Sequence, residues 1–347
     1  MVPVVDLTRH LLPLLPQFHD AVERVFRSGH VLLGPELEGF ESEFAAFAGR
    51  REAVGVSSGA AAIQLALAAL GVGPGDEVLV PAFTAVPTAA AVCALGATPV
   101  FVDVDADSAT VPADGWSGAR TDRTRAAVVV HLYGRPADDP LIDVPVVHYA
   151  AQAHGAVPPR RGAAATYSFY PTKNLGGIGD GGAVTTDDEE LAGRVRTLRV
   201  HGMAAQYVHV ERSQNFRMSE LEAAWLRLAL PGLGASNDRR RAIAARYRAS
   251  APHLHWQADH PDHVHHLAVF CANDREATRN RLAAAGVGTA VHYPLALGQQ
   301  PAYRSLARRP CPNAERWAAQ CVTVPCFPEL TDDEVDLVAA ALAGLEP

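Results

Sequence analysis

Short apolar runs alternating with segments of helical spacing dominate the N-terminal part of the chain. From Glu36 to Ala48 the apolar residues Leu37, Phe40, Phe44 and Phe47 recur every three or four positions, which predicts an amphipathic helix ending near Gly49. A strand follows at Ala53 to Val56, then a helix rich in Ala and Leu that opens at Ser57-Ser58-Gly59 and runs through Leu70. Gly71 to Asp76 turn the chain into the strand Glu77 to Val80. The alternation continues with a small-residue helix at about Ala85 to Leu95 and strands at Pro99 to Val102 and Ala126 to Val130. Leu141 to Tyr149, Thr166 to Phe169 and Gly182 to Thr185 read as three more strands. Such an order predicts an α/β fold with a mostly parallel, seven-stranded sheet covered by helices.

From Glu190 the pattern is helical to about Leu230, where Pro231-Gly232-Leu233-Gly234 punctuates it. Beyond lie an Arg-rich helix (Asp238 to Arg248), an alternating strand (His263 to Phe270), a helix (Arg275 to Ala285) and closing helices around Cys311 to Cys321 and Thr331 to Leu345. The expected division is an N-terminal arm (1–25), a large α/β domain (26–232) and a small C-terminal α+β domain (233–347).

Composition narrows the function classes. With 347 residues, 48% of them hydrophobic, the chain is long enough to bury a substantial core. Its formal charge of -8 is spread through interspersed acids with no run of Lys or Arg, which argues against nucleic-acid binding and against an anionic membrane surface. Five cysteines, odd in number and without a CxxC pair, suggest neither a disulfide framework nor a structural zinc site; a reducing cytoplasm fits. Asp6, Arg9 and three prolines interrupt the first sixteen residues, unlike a signal peptide or a spanning helix.

The most informative segment is Ser168-Phe169-Tyr170-Pro171-Thr172-Lys173-Asn174-Leu175-Gly176-Gly177, followed by Gly179-Asp180-Gly181-Gly182. A strand that ends in Ser and leads to a lone Lys in a Gly-rich loop offers an amine for Schiff-base formation and a hydroxyl for a phosphate oxygen. Supporting stretches are Gly34-Pro35-Glu36, Ser58-Gly59, Gly73-Pro74-Gly75-Asp76-Glu77-Val78, His131-Leu132-Tyr133-Gly134 and Ala150-Ala151-Gln152-Ala153-His154-Gly155. Asn215-Phe216-Arg217-Met218-Ser219-Glu220-Leu221 and Phe327-Pro328-Glu329-Leu330-Thr331 complete the set. Together they resemble the DegT/StrS family of sugar aminotransferases, fold type I enzymes that use pyridoxal phosphate (PLP), over nearly the whole chain.

The resemblance implies that Lys173 forms the internal aldimine and shuttles the substrate proton. It implies that Ser168 and the amides of Gly59 and Ala60, at a helix N-terminus suited to anions, hold the phosphate. Gln152 is expected near the ring's phenolic oxygen, and Asn215 at the phosphate of a neighbouring subunit, so that a homodimer shares its active sites. His131 and Tyr133, at the C-terminal end of an apolar strand where open α/β sheets bind ligands, and His292-Tyr293-Pro294 are expected on the substrate side.

Three positions depart from the family pattern. Tyr149 stands where the family carries an aspartate that pairs with the pyridine nitrogen, and His148 precedes it where an acid is usual. A phenol with a reference pKa of about 10 is neutral at pH 7, so the electron-withdrawing power of the ring should fall. Asp143 lies six residues earlier, roughly 20 Å along an extended strand, and cannot substitute. Ala60 replaces a phosphate-binding threonine and Ala85 an aromatic residue stacked on the ring; each contact is worth about 0.5–1.5 kcal/mol. PLP binding is therefore expected to be weakened or lost. The segments Gly134 to Tyr149 and Gly155 to Ser168 are also shorter than is usual in the family.

In the run His260, His263, His265, His266 adjacent strand positions face opposite sides, and no acidic or Cys partner except Asp262 completes a coordination set, so no metal is expected. Arg239-Arg240-Arg241 reads as a solvated helix face or an interface. Three readings stand side by side: an aminotransferase acting on a nucleotide-linked keto-sugar, a diverged enzyme that uses PLP differently or not at all, and a catalytically silent dimer partner or regulator.

Overall fold

A computed structural model describes residues 1–156 and 162–346. The chain opens with α1 (Leu7–Leu11), α2 (Leu15–Ser28) and α3 (Pro35–Ala48), then alternates β1 (Glu52–Val56), α4 (Gly59–Ala69), β2 (Glu77–Pro81), α5 (Pro87–Ala94), β3 (Thr98–Val102) and β4 (Thr124–Val130). β5 (Val146–Tyr149), β6 (Ala164–Ser168), β7 (Gly182–Thr186) and α6 (Glu189–Arg199) complete the large layer. A hairpin, β8 (Met203–Ala205) and β9 (Val208–His209), leads to α7 (Glu220–Ala229) and α8 (Leu233–Ser250). The chain closes with β10 (His255–Trp256), β11 (Ala268–Cys271), α9 (Arg275–Ala284), α10 (Pro312–Gln320), β12 (Cys321–Val324) and α11 (Asp332–Ala343).

Seven strands form one sheet in the order β1-β7-β6-β5-β4-β2-β3, and a three-stranded sheet, β10-β11-β12, forms in the C-terminal part. β3, β2, β4, β5 and β6 run parallel, whereas β7 is antiparallel to both neighbours. β2 and β4, apolar at residues 78–81 and 126–130, lie inside the sheet with those residues buried, as parallel strands covered on both faces require. The C-terminal ends of β4, β5 and β6 meet at one edge of the layer, where such sheets place their ligands.

One core packs α4 and α5 on the sheet, a second places Phe40, Phe44, Phe169 and Trp225 around α3 and α7, and a third gathers α8, α11 and the small sheet. Trp317 of α10 enters the first core and stacks on Phe83 with ring centroids 6.2 Å apart, so the C-terminal part backs the segment Phe83-Thr84-Ala85.

Several sequence expectations need correction. Residues 141–145 bend through Pro140 and Pro145, leaving only Val146–Tyr149 as strand, and Asp143 stays exposed at the surface. The helical reading after Glu190 is broken by the β8–β9 hairpin, for which Gly202 takes φ +69 directly against the backbone of Glu211. Pro231-Gly232 forms a single 3-10 turn that passes straight into α8, so this helix begins at Leu233 instead of Asp238. α2 runs through residue 25, the expected end of the N-terminal arm. His263 to Leu267 is irregular, with strand starting only at Ala268. The shortened stretch Gly155 to Ser168 lies partly outside the described residues, which omit 157–161.

The Gly34-Pro35-Glu36 stretch has a mechanical reason. Gly34 cannot cap α3 with a side chain; instead the buried carboxylate of Glu220 accepts from the amides of Gly34 (2.9 Å), Glu36 (2.8 Å) and Leu37 (3.2 Å). A Cβ at Gly34 would lie 2.9 Å from Glu220 Oε2, so glycine makes room for this cap, and the carboxylate also complements the positive end of the helix dipole. Replacing Glu220 with Ala leaves three buried amides without their acceptor and is expected to lower stability by about 2–4 kcal/mol in chemical denaturation.

Candidate active site

Lys173 follows β6 on a loop that buried polar groups pin from two sides. On one side Asn174 donates from Nδ2 to Asn237 Oδ1 (2.8 Å) and to the carbonyl of Val264 (3.2 Å), and its Oδ1 faces His266 Nδ1 at 2.9 Å. A carbonyl only accepts, so the Val264 contact fixes the Asn174 amide. His266 Nδ1 must then donate, which leaves the lone pair on Nε2. On the other side Trp225 Nε1 donates to Gly176 O (2.9 Å), and Glu222 Oε2 accepts from the amides of Ile178 (3.2 Å) and Gly179 (3.1 Å). The glycines are needed here: a Cβ at Gly177 would lie 1.5 Å from Glu222 Oε1.

The amine sits among neutral imidazoles. Burial lowers the Lys173 pKa to about 8. Burial, and then the nearby charge of Lys173, holds His154 at about 3 and His292 at about 4, and keeps His266 well below its ordinary value. An amine that loses its proton near neutrality is a competent nucleophile toward an aldehyde.

Beside this loop, the start of α4, the end of β6 and the start of β7 abut. Ser58 caps α4 through its side chain, which accepts from the Ala61 amide (3.1 Å). This leaves the first-turn amides of Gly59 and Ala60 at an anion-favouring helix end. A Cβ at Gly59 would lie 2.5 Å from Ser168 Cβ, and one at Gly182 would lie 2.3 Å from Ser58 O. Two bare glycines thus bring the Ser168 hydroxyl against the helix N-terminus.

A small cleft of about 10 Å³, room for little more than one water, joins Lys173 to the ends of β4 and β5. It is lined by Ala85, His131, Tyr149, Gln152, Lys173 and Tyr293, and also by Thr84, Val130, Leu132 and Ala151. Gln152 is held at both ends, with Oε1 accepting from the Tyr133 amide (2.6 Å) and Nε2 donating to Tyr293 Oη (3.1 Å). Burial, and then the neighbouring Tyr293, raises the Tyr149 phenol above its ordinary pKa, so it is neutral. His131 Nδ1 accepts from the Ala137 amide (3.0 Å), while burial, and then His148, keeps the ring uncharged. A larger groove of about 600 Å³ between β10, β11, α9 and α10 shares no residue with this cleft and carries no lysine.

The structure therefore gathers Lys173, Ala85, Tyr149, Gln152, His131 and Tyr293, and sets Gly59, Ala60 and Ser168 at the adjoining helix end. Other predicted site residues do not line the cleft. Tyr133 is fully buried, and its hydroxyl donates to His292 O. His292 stands near enough to Lys173 to feel its charge, and its Nδ1 faces Thr323 Oγ1 (2.9 Å). Asn215 is exposed, and its Oδ1 accepts from Arg217 Nε (2.9 Å). Among the four clustered histidines, His263 and His265, two positions apart, stack face to face with ring centroids 3.7 Å apart; among the described residues no group of three or more His, Cys, Asp or Glu side chains is placed to hold a metal ion. Glu222 was not singled out from sequence, because an isolated polar residue in a helix carries no periodic signal; Asn174 and His266 stood in the lysine motif and the histidine run, but their mutual contact has no local signature.

A sheet edge with a desolvated lysine, a helix N-terminus for a phosphate and neutral side chains between them define the class: a fold type I enzyme of the PLP-dependent kind. The chain belongs to the DegT/DnrJ/EryC1/StrS aminotransferase family, whose profile matches residues 15–343. It is 44% identical, over 95% of this chain and 92% of the relative, to dTDP-3-amino-3,4,6-trideoxy-alpha-D-glucose transaminase of Streptomyces venezuelae. The solved structure of S. venezuelae DesV in complex with a ketimine intermediate superposes with a TM-score of 0.94 at 42% identity, covering 99% of this chain and 97% of that one. Bacillus subtilis NtdA with bound cofactor PMP gives a TM-score of 0.91 at 29% identity, with 98% and 84% covered.

Glu222 supplies a test of the loop clamp. Burial raises its pKa to about 7, so the folded protein keeps a proton that an unfolded glutamate releases near 4.5. Stability conferred below that lower value is lost as pH rises to about 7, by about 3 kcal/mol. Glu222→Gln should flatten this slope in denaturation curves taken between pH 4.5 and 8. Gly177→Ala should destabilise strongly, and much less in the Glu222→Ala background.

Proposed function

We propose that this protein transfers an amino group to the keto carbon of a nucleotide-linked sugar, using PLP held by Lys173. The observation that carries the reading is the desolvated Lys173 on its clamped loop beside the Ser58-Gly59 helix end. The residues fit the cofactor at two points, an amine for its aldehyde and amide donors plus Ser168 for its phosphate. When bound, PLP supplies an aldehyde that links to amines and a conjugated ring that draws electrons from the attached carbon. Lys173, neutral above about pH 8, then takes and returns the proton at that carbon. Gln152 and Tyr293 fix each other across the cleft and orient what enters it. Similarity to the Streptomyces transaminase supports a deoxyaminosugar precursor attached to a nucleoside diphosphate.

The same reading makes the active unit a homodimer. Asn215 is exposed and lines no part of its own chain's cleft, as suits a residue that serves a second copy. All five cysteines are free, in keeping with a reducing cytoplasm, and among the described residues no helix is long and apolar enough to cross a membrane. With Ala60 and Ala85 each forgoing a contact, PLP should bind about tenfold or more weaker than in a site that keeps both.

A second reading, an enzyme that binds PLP without completing transamination, is favoured by the absence of a carboxylate among the cleft residues. Absorption spectroscopy separates the two. Added PLP should give a visible band that Lys173→Ala abolishes, and borohydride should fix the cofactor to the Lys173 peptide. If an amino donor such as glutamate then bleaches the band, transamination stands; a lysine-dependent band indifferent to every donor would establish the second reading. For the dimer, Lys173→Ala and Asn215→Ala homodimers should each lose activity, and mixed dimers refolded from both should recover part of it.

A further inference from the structure

The cleft wall formed by His131 and Tyr149 offers hydrogen-bond donors, and no acid lines the cleft. His131 is 2% exposed, and its Nδ1 is already committed to the Ala137 amide, which leaves the ring proton on Nε2. That Nε2 is buried and has no hydrogen-bond partner among the described residues, although the side chain lines the cleft. Tyr149 lines the same cleft from the next strand; β4 and β5 are paired so that Val130 stands opposite Tyr149, and the His131 amide donates to Tyr149 O (3.2 Å). None of the cleft-lining residues is Asp or Glu. Asp139 approaches His148 Nε2 at 3.4 Å, and His148 stacks on His131 with ring centroids 5.3 Å apart, but neither Asp139 nor His148 lines the cleft.

An unpaired buried N–H calls for an acceptor. A protonated pyridine nitrogen would bring a positive charge and a further donor into this uncharged seat, with no carboxylate to offset the desolvation. An unprotonated pyridine nitrogen brings a lone pair. We propose that Tyr149 and His131 together form a neutral, donating seat that binds the ring nitrogen of PLP in its unprotonated state. This deepens the reading given above and rests on it. The enzyme would then draw less strongly on the substrate's electrons than one with a carboxylate there, and would rely more on Lys173 for proton transfer.

The holoenzyme reconstituted with PLP labelled with 15N at the ring nitrogen, read by solid-state NMR, tests this directly. The proposal expects the neutral-pyridine signal in the unaltered protein and a change to the pyridinium signal in Tyr149→Asp. A pyridinium signal in the unaltered protein overturns it. Should Tyr149→Asp fail to fold, binding titrations serve instead. The analogue with ring nitrogen replaced by carbon should bind the unaltered protein about tenfold more weakly than PLP, and Tyr149→Phe should shrink that difference. Equal binding of PLP and the analogue would sink the proposal. Absence of any Lys173-dependent band on adding PLP would remove the PLP reading and this inference together, whereas a normal band with a pyridinium signal removes the inference alone.

Discussion

The clamp on the lysine loop is the constraint on which the site depends. A Gly-rich segment has little intrinsic reason to hold one conformation, since glycine loses more backbone freedom on folding than any other residue. Here buried polar groups supply that reason: Asn174 is locked to α8 and to the segment before β11, and Glu222 of α7 closes on the amides of Ile178 and Gly179. Such buried bonds are strong because any member left unpaired would pay its full desolvation. Three separate stretches of chain therefore fix the place of a single amine.

Electrostatics follow from the same burial. No carboxylate lines the cleft around Lys173; its neighbours His154, His266 and His292 are all held neutral, and its own proton is loosened by desolvation. The site thus concentrates uncharged donors and acceptors around a reactive nitrogen. Tyr149, a neutral phenol, carries the same character into the cleft lining, where it and the small Ala85 share one narrow space.

Much of the fold was legible because periodicity reports burial. Strands covered on both faces carry continuous apolar runs, and residues 78–81 and 126–130 are recognisable for that reason. Helix ends were equally clear where Ser58 or Gly49 marks a cap. Readings failed where local pattern and tertiary setting diverge. Residues 141–145 are apolar enough for a strand but lie between prolines at the surface, and the polar run after Arg199 folds into a hairpin that no helical repeat announces. Pro231-Gly232 looked like a break, yet proline is well tolerated at a helix start, and α8 begins at once.

The sequence by itself determined the layered α/β architecture, the family, the lysine loop and the Ser58-capped helix that opens beside it, because each is written in contiguous residues whose spacing or special backbone geometry is local. Only the tertiary structure decided that Tyr133 is a buried strut, that Glu220 caps α3 from far along the chain, that Glu222 underlies the lysine loop, and that His131 keeps an unpaired N–H at the cleft. These depend on contacts between residues up to nearly two hundred positions apart, and on which hydrogen-bonding atoms burial leaves without a partner. A one-dimensional pattern carries neither.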